Sequence, residues 1–491
     1  MIDQSGIEII GKGNIGEKAR QLTEKTPALI QLGFCTPRRV VLAEDYFDGF
    51  FQRNGFGRNL RDVQQVQDLE VKIRSGSLTS EEFQILRKVN NCYGGGLIPL
   101  AVRSSAEGDS RGTGTYKSEF CEGHPAQLGI AVKRVLASYF SQDAIAFRRD
   151  AKTGEGFGIM IEPIIGQQIG EYIAPIISGF GYTSTSRGDG YVNVVPFLGG
   201  GVDTRDGERI TENAVTKHGG TLGDYIYGAI QEMAYSVMRR TALLRTKSGD
   251  HEYYSGKAFR RREKDYPNGL MNVSLKLEET LQHQLGELDF ISFFQKMKKM
   301  ERVFGKPQYF EWAVTIEYGE PKFWITQIAD VNKRLDVMDF DDSGRVLFEG
   351  HTVTGTGIKT CDKIAECWNP GDESGLYGFN QENRNYVLLY SSRLTSRAGA
   401  HSLHYSQFSN ASVFLEIQDA NHSGDPVAHL GGQLDMAGKF FAVLDHNEEN
   451  PTQFDRFKEG CRKEHDISVY QRRVKVISSE RQNRMVVSEL D

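Results

Sequence analysis

Ala101-Val102-Arg103-Ser104-Ser105-Ala106 places an arginine at the end of an apolar strand pattern with hydroxyl side chains just after it. A guanidinium so placed reaches two phosphate oxygens at once. Gly16-Glu17-Lys18 precedes an apolar helical pattern, so Lys18 stands where a helix start and a lysine together attract an anion. Glu311 and Gln327 fall on two β-rich runs around residue 320 and offer two oxygen donors to one Mg²⁺, a cation that also bridges nucleotide phosphates. Gly179-Phe-Gly-Tyr-Thr183 and Gly199-Gly200-Gly201 let a backbone come close to a nucleotide. Each stretch also has a plainer reading: a strand-end ion pair, a surface lysine, a solvated strand face and ordinary hairpin turns.

Histidine offers a different chemistry. Most of the chain's 11 histidines lie between residues 401 and 465, and a neutral imidazole is a competent nucleophile near pH 7. His429 is one candidate. His401 and His404 are the alternative, as a metal or base pair on one helical face.

The elements that must hold these residues follow from periodicity. Val132, Val135, Leu136, Tyr139, Phe140 and Ile145 recur at helical spacing, which predicts one amphipathic helix over 131–149. Residues 157–165, 172–180 and 191–198 are short β-rich runs bounded by glycine, and 308–328 reads as a strand pair around a Gly-Glu-Pro turn. A polar, turn-rich stretch at 331–345 marks a boundary. Beyond it, strand 386–392, helix 400–408, strand 411–418, helix 427–438 and strand 439–445 make two successive β-α-β steps, the pattern of a partly parallel sheet. The strongly charged residues 451–491 suggest a tail or docking helix.

Composition narrows the partners. The chain has 491 residues and a formal net charge of −6, from 59 Lys and Arg against 65 Asp and Glu, so neither a nucleic-acid footprint nor an acidic tail is indicated. With 39% hydrophobic and 25% charged residues it is globular, and its 53 Gly against 13 Pro imply tight turns or close backbone approaches. Cys35, Cys92, Cys121, Cys361, Cys367 and Cys461 form no C-x-x-C pair, the usage of reduced thiols. The first residues lack a signal-peptide pattern and no long apolar run occurs, so a soluble, cytoplasmic protein with no membrane partner is expected.

The order of the motifs adds a family resemblance. GEKARQL (16–22), GFCTPRRVVLAEDYFDGF (33–50), LAVRSSAEGD (100–109), GTYKSEF (114–120), AVKRVLASYFSQDAIAFRR (131–149), IMIEPII (159–165), FEWAV and ITQIA resemble, in that sequence, the ATP-binding domain of the phosphoenolpyruvate synthase and pyruvate phosphate dikinase family, an ATP-grasp fold. HTVTGTGI (351–358) and SGDPVAHLGGQLDMAGKFFAVLD (423–445) resemble its swivelling phosphohistidine domain. The resemblance implies that Lys18 and Arg103 contact ATP phosphates, that Glu162 lies at the adenine-side strand, that Glu311 and Gln327 hold Mg²⁺, and that His429 is phosphorylated; Thr183, at the end of its glycine-rich stretch, is a further candidate for the nucleotide site. Gly424, Gly438 and the strand Phe440 to Leu444 stand at the family's spacing from His429.

The chain also departs from the family. Val427-Ala428 replaces Thr-Ser before the histidine, Asp435 replaces an arginine after it, and Gln327-Ile328-Ala329 replaces Gln-x-Arg. These changes remove donors from a phosphoryl site and add a negative charge. The residues after His429 are far fewer than the roughly 200 of a (β/α)₈ barrel, so the family's pyruvate-binding domain is not expected.

The resulting expectation is a multidomain α/β and α+β protein: an ATP-grasp domain over 1–335, a small α/β swivelling phosphohistidine domain over 336–450 and a tail over 451–491. Its activity would be that of a dikinase-like phosphotransferase. ATP would load His429, AMP and phosphate would be released, and the group would pass to an unidentified small-molecule or protein acceptor, with a partner subunit as one source of the acceptor site. The alternatives are a catalytically impaired nucleotide-binding scaffold and an ADP-forming ATP-grasp ligase.

Overall fold

The computed structural model describes residues 6–55, 63–95, 99–109, 115–169, 172–184, 190–196, 208–211, 241–245, 262–265, 270–274, 288–331, 338, 340, 344–367, 372–391, 405–417, 434, 438–444, 461–465, 467–479 and 484–490. The chain divides into two units: unit 1 holds Met1–Ser141 and Gly154–Asn332, and unit 2 holds Gln142–Thr153 and Lys333–Asp491.

In unit 1, β1 (Ile7–Ile10), β2 (Arg39–Ala43), β3 (Pro99–Ala106), β4 (Ser118–Glu122) and β5 (Phe157–Pro163) form a sheet in the order β1-β2-β5-β3-β4. β1 and β2 are parallel because α1 (Gly16–Gln31) carries the chain back between them; the other pairings are antiparallel. α2 (Asp48–Arg53) follows β2, and α3 (Val63–Ser75) and α4 (Ser80–Cys92) pack with α5 (Pro125–Tyr139) over β3 and β4. α4 starts on a capping box, in which Glu82 N donates to Thr79 Oγ1 and Thr79 N donates to Glu82 Oε2.

β6 (Gln167–Ile169) and β7 (Tyr172–Ala174) open a second sheet, and β8 (Ile177–Tyr182), β9 (Tyr191–Pro196) and β10 (Glu208–Thr211) a third. β11 (Thr241–Arg245), β12 (Arg262–Asp265) and β13 (Leu270–Ser274) complete the second, in the order β12-β13-β11-β7-β6. β14 (Gln308–Glu317) and β15 (Glu320–Asp330) complete the third, in the order β10-β9-β8-β14-β15. The core of unit 1 joins Leu22 and Leu29 of α1, Val41 of β2, Met160 of β5, and Phe310, Trp312, Ile325 and Ile328 of the third sheet. Helix α7 (Phe290–Phe304) fills it with Phe290, Phe293, Phe294, Met297 and Met300. Asp289 caps that helix by accepting from Ser292 N, and Gly305 ends it at φ 72°.

In unit 2 the helix α6 (Gln142–Ala151) joins residues far along the chain. β16 (Arg345–Thr354), β17 (Gly357–Cys361), β18 (Ile364–Cys367), β19 (Tyr386–Ser391), β20 (Ala411–Ile417), β21 (Phe440–Leu444), β22 (Cys461–Glu464), β23 (Ile467–Tyr470), β24 (Val474–Ser479) and β25 (Arg484–Glu489) form one ten-stranded sheet. Its order is β17-β24-β25-β16-β21-β20-β19-β18-β23-β22. β18 to β21 are mutually parallel and buried on both faces. Val387, Leu389, Val413 and Leu415 meet Phe348, Val476 and Val487 of the antiparallel strands. On the other face, Leu388, Tyr390 and Phe414 meet Phe147 of α6, Leu376 and Phe379 of α8 (Asp372–Glu382), and Phe408 of α9 (Tyr405–Phe408).

Four expectations change. The helix predicted over 131–149 is two helices, because its halves bury side chains in different cores: Val132, Val135 and Leu136 in unit 1, Phe147 in unit 2. The run 172–180 splits into β7 and β8, in different sheets, around Pro175, which has no N–H to give a ladder. The β14–β15 turn is Tyr318-Gly319, with φ of 55° and 83°, the two left-handed residues of a type I′ hairpin, and Pro321 already lies in β15. Residues 461–489 are four strands of the unit 2 sheet where a tail or docking helix is expected. Ile467, Val469, Tyr470, Val474, Val476 and Ile477 are buried there despite the charges around them. Among the described residues no helix is long and apolar enough to cross a membrane.

Candidate functional site

The start of α1 is docked on the end of β3. Gly16 has φ 74°, and a Cβ there would stand 1.8 Å from the Ser105 carbonyl oxygen, so the close approach needs glycine. Ala19 N donates to Ser105 Oγ at 2.9 Å, and Gly108 N donates to Glu17 Oε2 at 3.0 Å. These contacts set Lys18 Nζ 3.2 Å from Asp109 Oδ2, an oxygen that also accepts from Ser104 Oγ at 2.9 Å. Burial raises the Asp109 carboxyl above its ordinary value, against the opposing pull of Lys18 and Ser104.

A second group runs across three strands of the first sheet and onto the third sheet. Register places Ala101 opposite Glu162 and Val40 opposite Ile161, so Arg39 of β2, Glu162 of β5 and Arg103 of β3 share one face. Arg39 Nε donates to Glu162 Oε2 at 2.9 Å, and its Nη2 donates to the Ile325 and Thr326 carbonyl oxygens at 3.2 Å each. Arg103 Nε lies 2.9 Å from Glu162 Oε1, and Arg103 Nη1 donates to Glu311 Oε2 at 3.1 Å. The result is a buried line of alternating charge, Arg39, Glu162, Arg103, Glu311.

The two arginines differ. Arg39 is fully buried, and desolvation lowers its pKa despite Glu162. Arg103 keeps 20% of its side chain exposed, and although burial works against its charge, Glu162 and Glu311 together raise its pKa. Its Nε–H is near Glu162 but off the hydrogen-bond axis, and is left without an acceptor. A guanidinium that keeps an exposed edge is suited to an oxyanion.

Glu311 pairs across the hairpin with Gln327, both buried, and the register shifts immediately after Glu311. Such a bulge re-aims a side chain. Two oxygen donors on one cross-strand pair fit a hard cation that takes its other ligands from phosphates and water. Among the described residues no group of three His, Cys, Asp or Glu could hold a metal unaided.

Of the residues singled out by sequence, Arg103, Glu162, Glu311 and Gln327 therefore come together. Lys18 is engaged with Asp109, and Thr183 lies in the loop after β8, where its Oγ1 donates to Glu301 Oε2 at 2.7 Å and accepts from Gln308 N at 2.9 Å. His429 lies outside the described residues, as do His401, His404, Val427, Ala428, Asp435 and Gly199 to Gly201. The described residues that follow His429 most closely in sequence are Leu434 and Gly438 to Leu444; Gly438 has φ 67°, and Lys439 N donates to Leu434 O at 2.7 Å.

Sequence reasoning missed three residues. Arg39 reads as an ordinary charge beside the strand VVLA, and only its flush position against that apolar run signals burial. Lys25 Nζ donates to Gln21 Oε1, Gln308 Oε1 and Asp330 Oδ1 at 2.7, 2.8 and 2.6 Å, tying α1 to the β14–β15 hairpin; its i, i+4 spacing from Gln21 was the available sign. Tyr309 pairs with Ala329 and packs with Phe180 and Tyr182, so an apolar cluster stands where the arginine of Gln-x-Arg is absent.

Residues 58–336, more than half of the chain, match the family model described as pyruvate phosphate dikinase, AMP/ATP-binding domain. Arg103, Glu162, Thr183, Glu311 and Gln327 fall inside the match, Lys18 and Arg39 precede it, and His429 follows it. No curated protein matches the chain.

Proposed function

Because the chain belongs to the pyruvate phosphate dikinase AMP/ATP-binding domain family, we propose that unit 1 binds ATP at the Arg103, Glu311 and Gln327 group and that the protein is a dikinase-like phosphotransferase acting on its own His429. The mixed α/β sheets of unit 1 are consistent with an ATP-grasp-like nucleotide-binding domain. The observation that carries the reading is the Arg103 guanidinium, partly exposed, beside a carboxylate and an amide that face each other across one hairpin.

In this reading Arg103 takes phosphate oxygens, with Lys18 as a second cation, and Glu162 keeps the guanidinium oriented through its fixed pair with Arg39. Thr183 belongs to the nucleotide site as the loop residue after β8. Glu311 and Gln327 hold Mg²⁺, which when bound neutralises charge on the phosphate oxygens. An imidazole nitrogen of His429 forms a bond to the β-phosphorus while the bond from that phosphorus to the AMP oxygen breaks. Hydrolysis then frees the γ-phosphate and leaves the β-phosphoryl group on the histidine. Unit 2 in this reading is the swivelling carrier that presents the group to a small-molecule or protein acceptor.

One observation favours a second reading, nucleotide binding without transfer: Ala329 is fully buried in an apolar cluster, so that position gives the phosphates no cation. Incubation with ATP labelled at the β-phosphorus separates the two. Transfer gives AMP and an acid-labile phosphoprotein, both lost in His429→Ala. Label retained by that variant moves the site to another histidine, and ATP binding with neither product establishes the second reading.

A further inference from the structure

We infer that Tyr309 is a positioning residue for the Glu311 carboxylate, holding it in the orientation in which it meets a divalent cation. The inference rests on the proposed role of Glu311 and concerns how that role is maintained. Tyr309 and Glu311 are two residues apart on β14 and so share a face. The Tyr309 hydroxyl donates to Glu311 Oε1 at 3.4 Å, while Arg103 Nη1 donates to Oε2 at 3.1 Å. The two oxygens are thus held from different strands.

The ring that carries the hydroxyl is fixed by its surroundings. Tyr309 is only 6% exposed, its centroid lies 6.1 Å from that of Phe180 and 5.3 Å from that of Tyr182, and its register partner is Ala329. A methyl group at 329 leaves room for the ring beside the Glu311–Gln327 pair. At 3.4 Å the hydrogen bond is long and therefore weak, and it acts through the fixed position of the ring that carries it.

Its value appears when Arg103 turns to an anionic ligand. Oε2 then loses its guanidinium, and the tyrosine on Glu311's own strand keeps the carboxylate from rotating away. Hydrogen bonds to a carboxylate ligand of this kind change metal affinity by about 10–100-fold when removed.

The test uses the full chain and a non-hydrolysable ATP analogue, with binding followed by calorimetry as Mg²⁺ is varied. Tyr309→Phe raises the Mg²⁺ concentration for half-maximal binding by about 10-fold, the lower end of that range, with an unchanged thermal midpoint. Glu311→Gln raises it as well, and Tyr309→Phe adds nothing in that background. If Tyr309→Phe leaves the Mg²⁺ requirement alone while Glu311→Gln raises it, the tyrosine has no positioning role and the site stands. An equal effect of Tyr309→Phe with or without Glu311 also overturns the inference. If Glu311→Gln changes nothing, the reading of the cation site itself fails.

Discussion

Unit 1 and unit 2 both bury polar side chains, by opposite means. In unit 1 one such group is a line of ions in alternation, Arg39, Glu162, Arg103 and Glu311, of which Arg103 alone is partly exposed. In unit 2 one such group, built around Asn380, is neutral. Tyr386 Oη and Asn410 N donate to Asn380 Oδ1 at 2.9 and 2.8 Å, and Asn380 Nδ2 donates to Ser406 O at 3.2 Å and Ser409 Oγ at 3.4 Å. A neutral amide bonded at both ends fixes the connections after α8 and α9 at little desolvation cost. Buried ions are a weak source of stability, since desolvation takes several kcal/mol per ion. A partly exposed guanidinium among such ions fits the proposed role of Arg103.

The sharpest way to break that contrast is to separate the two arginines. Arg39→Met leaves the Glu162 carboxylate with a single guanidinium and frees the Ile325 and Thr326 carbonyl oxygens, so unit 1 should lose about 3 kcal/mol. Arg103→Met should cost about 1 kcal/mol, because its side chain is partly solvated and Glu162 keeps Arg39, yet weaken ATP binding by about 10-fold or more. Urea unfolding followed by the buried Trp312 and Trp324 of unit 1, together with ATP titration, reads both. Equal stability losses with equal affinity losses would erase the distinction between a structural and a ligand-facing cation.

How far these residues could be seen in advance depended on the range of the interaction. Lys18, Arg103, Glu311 and Gln327 were legible because each sits in a local pattern, a helix start or a strand end, that survives without knowledge of the fold. Arg39 and Tyr309 were not, since their roles arise from neighbours more than 100 residues away, Glu162 for one and Phe180 for the other. The same applies to α6, whose apolar spacing continues that of α5 while Phe147 answers to the core of unit 2. The parallel strands β19, β20 and β21 were visible as continuous apolar runs, and β22 to β25 were hidden by the charged residues in and around them.

The neutral network of unit 2 gives the second test. Asn380→Ala leaves the Tyr386 hydroxyl and the Asn410 N–H buried without their acceptor, a loss of about 2 kcal/mol confined to unit 2. ATP affinity should not move. A fall in affinity matching the fall in stability would show that the network of unit 2 serves the nucleotide as well, and the contrast between the units would lose its functional meaning.

The smallest effect concerns Lys439, a cation that is buried beside the parallel layer of unit 2. Lys439 Nζ donates to the Ala411 carbonyl oxygen at 2.7 Å and lies 3.8 Å from Asp150 Oδ2. Burial pushes its pKa down to about 8, with Lys359 and Arg149 acting in the same direction and Asp150 against it. Folded protein therefore releases this proton near pH 8, whereas the unfolded chain keeps it to about pH 10.4. In that interval the unfolded state binds more protons, so stability rises with pH, by about 1 kcal/mol between pH 8 and 9. The buried Cys361 thiol, held up at about 12, acts in the opposite direction from about pH 8.5, because it stays protonated in the folded state as the unfolded thiol ionises. The change in stability of unit 2 from pH 8 to pH 9, read by urea unfolding, should therefore be more positive in the parent protein than in Lys439→Met, by about 1 kcal/mol. The same change in both would mean that Lys439 keeps its proton when folded, and that unit 2, like unit 1, tolerates a buried ion.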